Sequence, residues 1–313
     1  MRALHVPSAG EKPRIGDLPV PAVTDGTVLI RVRAAGLNPM DNAIAGGWLA
    51  GLIPHEYPLV LGRDAAGVVA AVGAGVDHVK PGDEVFGHVV LAPPIQAGTL
   101  AEYALLPAAA VALKPAGLDF VRAAALPLAA AAATQAVDAV DPRPGHTVLV
   151  SGASGGIGSF AIQLLAARGV TVIATGTDAA RLTGLGATAV VDRAAGPIAE
   201  QVRAAHPDGV DALVNLFGRT DADVPLGAVR RGGRVSTLAQ APDSEAGAAA
   251  GVTVTKIMTR ATREVTGPIA ERAAAGSIAV DVQTVLSLEQ AVDGLATIAA
   301  GHARGKTVVT IEH

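Results

Sequence analysis

The sequence predicts an α/β protein in two parts: a β-rich N-terminal third and a doubly wound sheet of six parallel strands. Three observations predict it. Pro and Gly interrupt short β-branched runs through the opening third. From about Leu118 onward, apolar runs of strand length alternate with stretches of helical length. One of those runs, in Val148–Gly158 (VLVSGASGGIG), passes through glycines straight into a helical pattern. Short strands between turn residues give an irregular β domain, whereas strands spaced by 10–15-residue helices give βα units on a parallel sheet.

In the first part the strands are expected at Thr27–Arg33, Ala66–Val72 and Glu84–Val90, the last after the turn signal Lys80–Asp83 (KPGD). Val121–Val140 is the most apolar stretch. It holds Arg122, Pro127 and Asp138 and is rich in alanine rather than leucine, so it reads as a buried helical region and not a membrane span. The second part has strands at Thr147–Ser151, Val170–Thr175, Ala189–Asp192, Ala212–Leu216, Arg234–Leu238 and Gly251–Lys256. Helices are expected between them, at Ser159–Arg168 and Pro197–Ala205 among others. Ala239–Ala250 has no period and is expected to be a mobile loop. The tail reads as helix Arg263–Ala275, strand Ile278–Val285, helix Leu288–Ala300 and strand Lys306–Ile311. Periodicity does not say which part the tail joins.

Composition removes several function classes. Half the residues are apolar and only 17% are charged, enough to bury a core and too little charge for a disordered chain. With 24 basic and 28 acidic residues there is no excess for a nucleic-acid backbone, and one Trp, two Tyr and four Phe offer few stacking platforms. Cysteine is absent, which excludes disulfides, thiolate nucleophiles and thiolate metal sites. Met1–Arg14 carries no basic-then-apolar leader pattern, so a cytoplasmic protein without membrane or nucleic-acid partners is expected.

The strongest chemical signal is the glycine turn. Gly152, Gly155 and Gly158 fall three apart, with Ser154, Gly156 and Ile157 between them. A strand, a glycine turn and a helix start together make an anion site, because the chain can approach a pyrophosphate closely and the helix N-terminus offers free N–H groups. The usual dinucleotide fingerprint places its middle glycine where this chain has Ala153 or Ser154. The acid that holds a ribose 2′-hydroxyl in NAD sites lies ~20 residues on; Gly176 stands there. Thr175, Thr177 and, one turn later, Arg181 suit a 2′-phosphate, whereas Asp178 opposes one. NADPH is favoured over NADH, and Arg181 reads either as the phosphate clamp or as a solvated helix residue.

Seven segments carry a family resemblance in order along the chain: Ala35–Asp41 (AGLNPMD), Leu61–Gly67 (LGRDAAG), Val72–Val85, Gly98–Tyr103, the glycine cradle, Arg231–Arg234 (RGGR) and Gly301–Val308 (GHARGKTV). The chain resembles the medium-chain dehydrogenase/reductase superfamily, in its zinc-independent quinone oxidoreductase branch. The resemblance implies a GroES-like β-rich catalytic domain from residues 1–118 and 260–313, and a Rossmann domain from 119–259. It further implies a crevice between them for nicotinamide and substrate, and a homodimer. Zinc-dependent relatives have Cys where this chain has Asn38, and Gly-His-Glu where it has Gly62, Arg63 and Asp64. Arginine is no zinc ligand, and the eight histidines show no ligand spacing, so no metal is expected.

By the same resemblance, the Asn-Pro-x-Asp turn lies beside the nicotinamide, which makes Asn38 and Asp41 the catalytic candidates. Both read equally as a turn-stabilising pair. Tyr57 is a further candidate, as proton donor or lid, or simply part of a packed turn. Trp48 would rim the pocket. Leu216, Phe217 and Gly218 would cover one face of the cofactor, with Leu238 and Lys306 close to it. Relatives often carry a Thr after Leu126–Leu128; here five alanines follow and Thr134 comes later. Without a metal, conjugated acceptors are easier than alcohols, so the expected activity is NADPH-dependent reduction of a quinone or an α,β-unsaturated carbonyl. A discrete enoyl reductase for polyketide-like intermediates, or a non-catalytic NADPH-binding sensor, remain alternatives.

Overall fold

The computed structural model describes residues 1–218, 220–239 and 244–312. The chain divides into two compact units, Met1–Ala131 with Arg260 onward, and Ala132–Thr259. The first division falls inside the helix Pro127–Ala139.

The first unit is built on a seven-stranded sheet and a three-stranded one. Its central strand, Thr27–Gly36, buries Val28, Ile30 and Val32 while Arg31 and Arg33 face solvent, the period-two alternation of a half-buried strand. It pairs antiparallel with Asp64–Val72, Tyr103–Pro107 and the C-terminal strand Lys306–Thr310. The tail therefore completes the first unit's sheet, with Val308 opposite Gly36. Val28, Ile30, Leu59, Leu61, Val85, Leu106, Leu295 and Val309 share one core. The tail strand is Val282–Ser287, a few residues later than its apolar run predicts, and it runs parallel to Lys306–Thr310.

The second unit holds the six-stranded sheet, and every pairing in it is parallel. Across the sheet the order is Ala189–Val191, Thr171–Thr175, Thr147–Ser151, Val210–Asn215, Val229–Thr237, Thr253–Lys256. This is the 3-2-1-4-5-6 order of a doubly wound dinucleotide fold, whose switch point lies between Thr147–Ser151 and Val210–Asn215. Val148, Leu149 and Val150 are fully buried, as a strand covered on both faces requires.

One expectation is corrected. Ala239–Ala250 is not a loop throughout: Ser244–Ala250 is helical, because its alanines favour helix, while 240–243 lie outside the described residues. The apolar stretch after Leu118 forms two helices, Phe120–Ala124 and Pro127–Ala139, broken where Pro127 opens the second. Among the described residues no helix is long and apolar enough to cross a membrane.

Candidate active site

The glycine cradle sits at the carboxyl edge of the parallel sheet. Strand Thr147–Ser151 ends at Gly152, which turns with φ +75°, a conformation that favours glycine. A Cβ there would stand 3.1 Å from the Phe217 Cβ, so Phe217 already roofs the turn. Thr175 is buried, and its hydroxyl accepts the Gly152 N–H at 2.9 Å. Thr175 thus braces the turn instead of facing a ribose phosphate, contrary to the sequence expectation. The helix Gly156–Ala166 starts from Gly155, whose backbone is extended and which has no side chain to cap the first N–H groups. A Cβ on Gly155 would have a single neighbour within 4 Å, so space is open in front of those N–H groups. At Gly158 a Cβ would meet the Ala153 Cα at 2.5 Å, and only glycine lets the helix pack this close to its strand. Ser154 and Ile157 complete the turn. The residues present fit a bound pyrophosphate: a glycine turn, a helix start that no side chain caps, and open space beside Gly155.

At the end of the second strand, a Cβ on Gly176 would lie 2.5 Å from the Ser154 Oγ and 2.6 Å from a Leu182 methyl. A side chain there would require the Ser154 hydroxyl and the Leu182 methyl to move aside. Thr177 is exposed beside it. Arg181 is half-buried and donates from its guanidinium to the Ser154 carbonyl at 3.1 Å, while its backbone N–H is capped by Asp178. Arg181 is tied to the cradle's own backbone, and Asp178 is used as a helix cap. Leu216 follows the fourth strand, bonded to the Ser151 carbonyl, and Leu238 follows the fifth, bonded to the Asn215 carbonyl. The structure thus collects Gly152, Ser154, Gly176, Leu216, Phe217, Gly218 and Leu238 at one sheet edge.

The first unit contains a second constellation, a buried cluster of charges. Strand register assembles it. Gly36 is paired with Asp64, Asp64 with His88, and Gly36 with Val308. One row thereby brings Asn38, Asp64, His88 and Lys306 together. Asp64 accepts from His88 Nδ1 at 2.8 Å, from Asn38 Nδ2 at 2.9 Å and from the Leu128 N–H at 3.1 Å. The last donor lies in the first turn of a helix, where the backbone favours an anion. Burial pushes the Asp64 carboxyl up, but the His88 bond and charge, Lys306 and Asn38 outweigh it, and its pKa lies below the ordinary value. Lys306 donates to the Asn38 Oδ1 at 2.7 Å and to the Leu37 carbonyl at 2.9 Å, with Asp64 at 3.8 Å. Burial lowers its pKa against the pull of Asp64 and Asp41.

Asp41 is fully buried and opens the helix Pro39–Ala45, where its Oδ2 accepts the Asn38 N–H at 2.8 Å. Burial dominates over the attraction of Arg63 and raises its pKa to about 6. Arg63 is 1% exposed, donates to the Val60 and Ala97 carbonyls, and is held down in pKa by burial. Among the described residues, Asp41 Oδ1 and Arg63 Nε have no hydrogen-bond partner. One sequence expectation changes here. The Asn38 amide is committed at both ends to Lys306 and Asp64, which sequence spacing could not reveal. Lys306 is 4% exposed within the first unit, where the Leu37 carbonyl and the Asn38 amide oxygen accept from it and Asp64 stands 3.8 Å away. Tyr57 is half-buried against that core, edge-on to His55 at 6.3 Å, and Trp48 is 78% exposed. Sequence reading gave His88 no role; only strand register exposes its pairing with Asp64.

Residues 24–116 match the family model for the alcohol dehydrogenase GroES-like domain, and residues 185–309 match that for a zinc-binding dehydrogenase. The mitochondrial NAD(P)H oxidoreductase RTN4IP1 of Danio rerio is 31% identical, over 91% of this chain and 83% of its own. The chain belongs to the medium-chain dehydrogenase/reductase superfamily, quinone oxidoreductase branch. The chloroplastic NADPH-dependent alkenal/one oxidoreductase of Arabidopsis thaliana is 35% identical over 70% of this chain and 56% of its own. The solved quinone oxidoreductase of Coxiella burnetii superposes with a TM-score of 0.89 at 26% identity, over 100% of this chain and 99% of that one.

The residues at this superfamily member's zinc positions do not fit a metal. Asn38 is bonded away, Arg63 is a cation, and Asp64 and His88 are paired with each other beside Lys306. Among the described residues, no group of three or more His, Cys, Asp or Glu converges.

Proposed function

We propose that the chain is an NADPH-dependent reductase that delivers hydride, without a metal, to a quinone or an α,β-unsaturated carbonyl. The cradle carries this reading: a helix start at Gly155 that no side chain caps, with open space beside it, and a glycine, Gly176, where an NAD-type acid would stand. Bound NADPH would supply the hydride. The helix start at Gly156 and the turn Gly152–Gly155 hold the pyrophosphate. Leu216, Phe217, Gly218 and Leu238 give it apolar walls that exclude water.

When hydride adds to the β-carbon of an enone, the double-bond electrons move to the carbonyl oxygen, and the resulting enolate takes a proton. Tyr57 is the side chain assigned to donate to that oxygen. Asn38 and Asp41 act as positioning residues: the charge cluster fixes the turn that holds them. We further read the enzyme as a cytoplasmic homodimer acting on small molecules.

Mixing the pure protein with NADPH and a panel of quinones and enones, and following the loss of reduced-nicotinamide absorbance, tests the reading. Turnover of at least one conjugated acceptor, undiminished by chelator, is expected. Tight NADPH binding with no turnover of any acceptor would refute catalysis and leave a sensor.

A further inference from the structure

Arg193 and Phe217 stand far apart in the sheet yet touch. Arg193 follows the strand Ala189–Val191, and Phe217 follows Val210–Asn215. Two strands, Thr171–Thr175 and Thr147–Ser151, separate them. At ~4.8 Å per neighbour that is roughly 14 Å. The Arg193 guanidinium nevertheless lies 4.0 Å from the Phe217 ring centroid. The pair must arch over the carboxyl ends of the two intervening strands, and those ends carry Gly152 and Gly176. In a doubly wound sheet, ligands lie outside these strand ends. The contact therefore crosses the path that a dinucleotide would take.

The charges at this edge are not equivalent. Arg181, the arginine favoured by sequence spacing, is half-buried and bonded to the Ser154 carbonyl. Arg193 is exposed, and among the described residues no carboxylate lies within ion-pair distance of it; Asp192 beside it caps the Ala194 N–H. A guanidinium resting on an exposed aromatic face is weakly held. A phosphate offers it charge-assisted hydrogen bonds, which are stronger.

We propose that Arg193 selects the phosphorylated dinucleotide, resting on Phe217 as a strap across the cradle until a ribose 2′-phosphate draws it away. The inference rests on the reading of the cradle as an NADPH site and assigns the discriminating residue within it. Arg181, by contrast, donates from one guanidinium nitrogen to the turn's own backbone at Ser154.

Calorimetric titration tests this without turnover, using NADPH, NADH, adenosine 2′,5′-bisphosphate and 5′-AMP as probes. The wild-type chain should bind the 2′-phosphorylated member of each pair more tightly. Arg193→Ala should weaken NADPH and adenosine 2′,5′-bisphosphate by about 10- to 100-fold, the range for losing a charged hydrogen-bond partner. NADH and 5′-AMP should stay within about threefold, which also shows that the variant is folded. Arg193→Lys should recover part of the loss. Phe217→Leu releases the guanidinium and should leave the preference for NADPH intact or raise it by up to about fivefold. Equal weakening of NADPH and NADH by Arg193→Ala, or no change in either, overturns the assignment. Loss of the preference in Phe217→Leu overturns the strap. A wild-type chain that binds neither dinucleotide overturns the underlying reading of the cradle, and is distinguishable from both.

Discussion

Replacing Asp41 by asparagine should change how stability depends on pH. Asp41 is fully buried, and its pKa is raised from 3.8 to about 6. A carboxyl whose folded pKa is raised favours the folded state while protonated. That contribution is fully present below pH 3.8 and is lost as pH rises through about 6. The full span, about 2 pKa units, is worth roughly 3 kcal/mol. Between pH 5 and pH 8 the linkage relation gives about 1.4 kcal/mol, since at pH 5 the folded carboxyl is mostly protonated and the unfolded one is not. The substituted amide is neutral throughout and can still accept the Asn38 N–H. The difference in unfolding free energy, variant minus wild type, should therefore move by about 1.4 kcal/mol in favour of the variant from pH 5 to pH 8. Urea titrations followed by Trp48 fluorescence and circular dichroism at the two pH values measure it, and subtraction removes every other titrating group. A difference that is flat with pH, or that moves the other way, would show that Asp41 is ionised in the folded protein at pH 5 and that the cluster is held together differently.

Other expectations follow from the same contacts. Lys306→Met should destabilise the chain by about 3–5 kcal/mol, because it leaves Asp64 buried with one balancing cation fewer and strips a donor from the Asn38 and Leu37 oxygens; a urea midpoint within about 1 kcal/mol of wild type would contradict this. Gly158→Ala forces a Cβ on to the Ala153 backbone at 2.5 Å, which cannot swing aside, and should weaken NADPH and NADH alike by at least about tenfold in a binding titration. Gly176→Asp should fail to create an NADH enzyme, since the Ser154 hydroxyl and Leu182 occupy the space; a clean switch in the ratio of kcat/KM values would show that they yield. Tyr57→Phe should lower kcat by about 10²-fold with the KM for NADPH unchanged, and an unaltered rate would remove Tyr57 as proton donor.

The second unit was legible because it is periodic. Thr147–Ser151 falls where its apolar run predicts, and the glycines after it have one physical use. The first unit was less so. Strands such as Arg2–Val6 (RALHV) and Tyr103–Pro107 (YALLP) are short and show no alternation of polar and apolar residues in sequence, so only pairing defines them. The charge cluster was invisible as a cluster: Asn38 and Lys306 meet across 268 residues, and no local pattern marks Asp64 and His88 as a pair. Thr175 and Arg181 were drawn toward the phosphate by their positions in sequence, while the structure also ties each of them to a backbone group of the turn. Spacing locates a side chain near a site; it does not say which of its hydrogen bonds are already spent.

The register that sets Val308 against Gly36 also imposes an order of events at the ribosome. Asn38 and Asp64 are translated long before the lysine that balances them. At ~5–20 residues per second, a gap of 268 residues lasts roughly 15–50 s. During that interval the parallel sheet, whose strands all lie between Thr147 and Lys256, is already complete in sequence. The nucleotide-binding half can thus fold as a unit on the nascent chain, while the sheet of the other half lacks its strands Val282–Ser287 and Lys306–Thr310, and its buried acids lack their lysine, until the tail arrives.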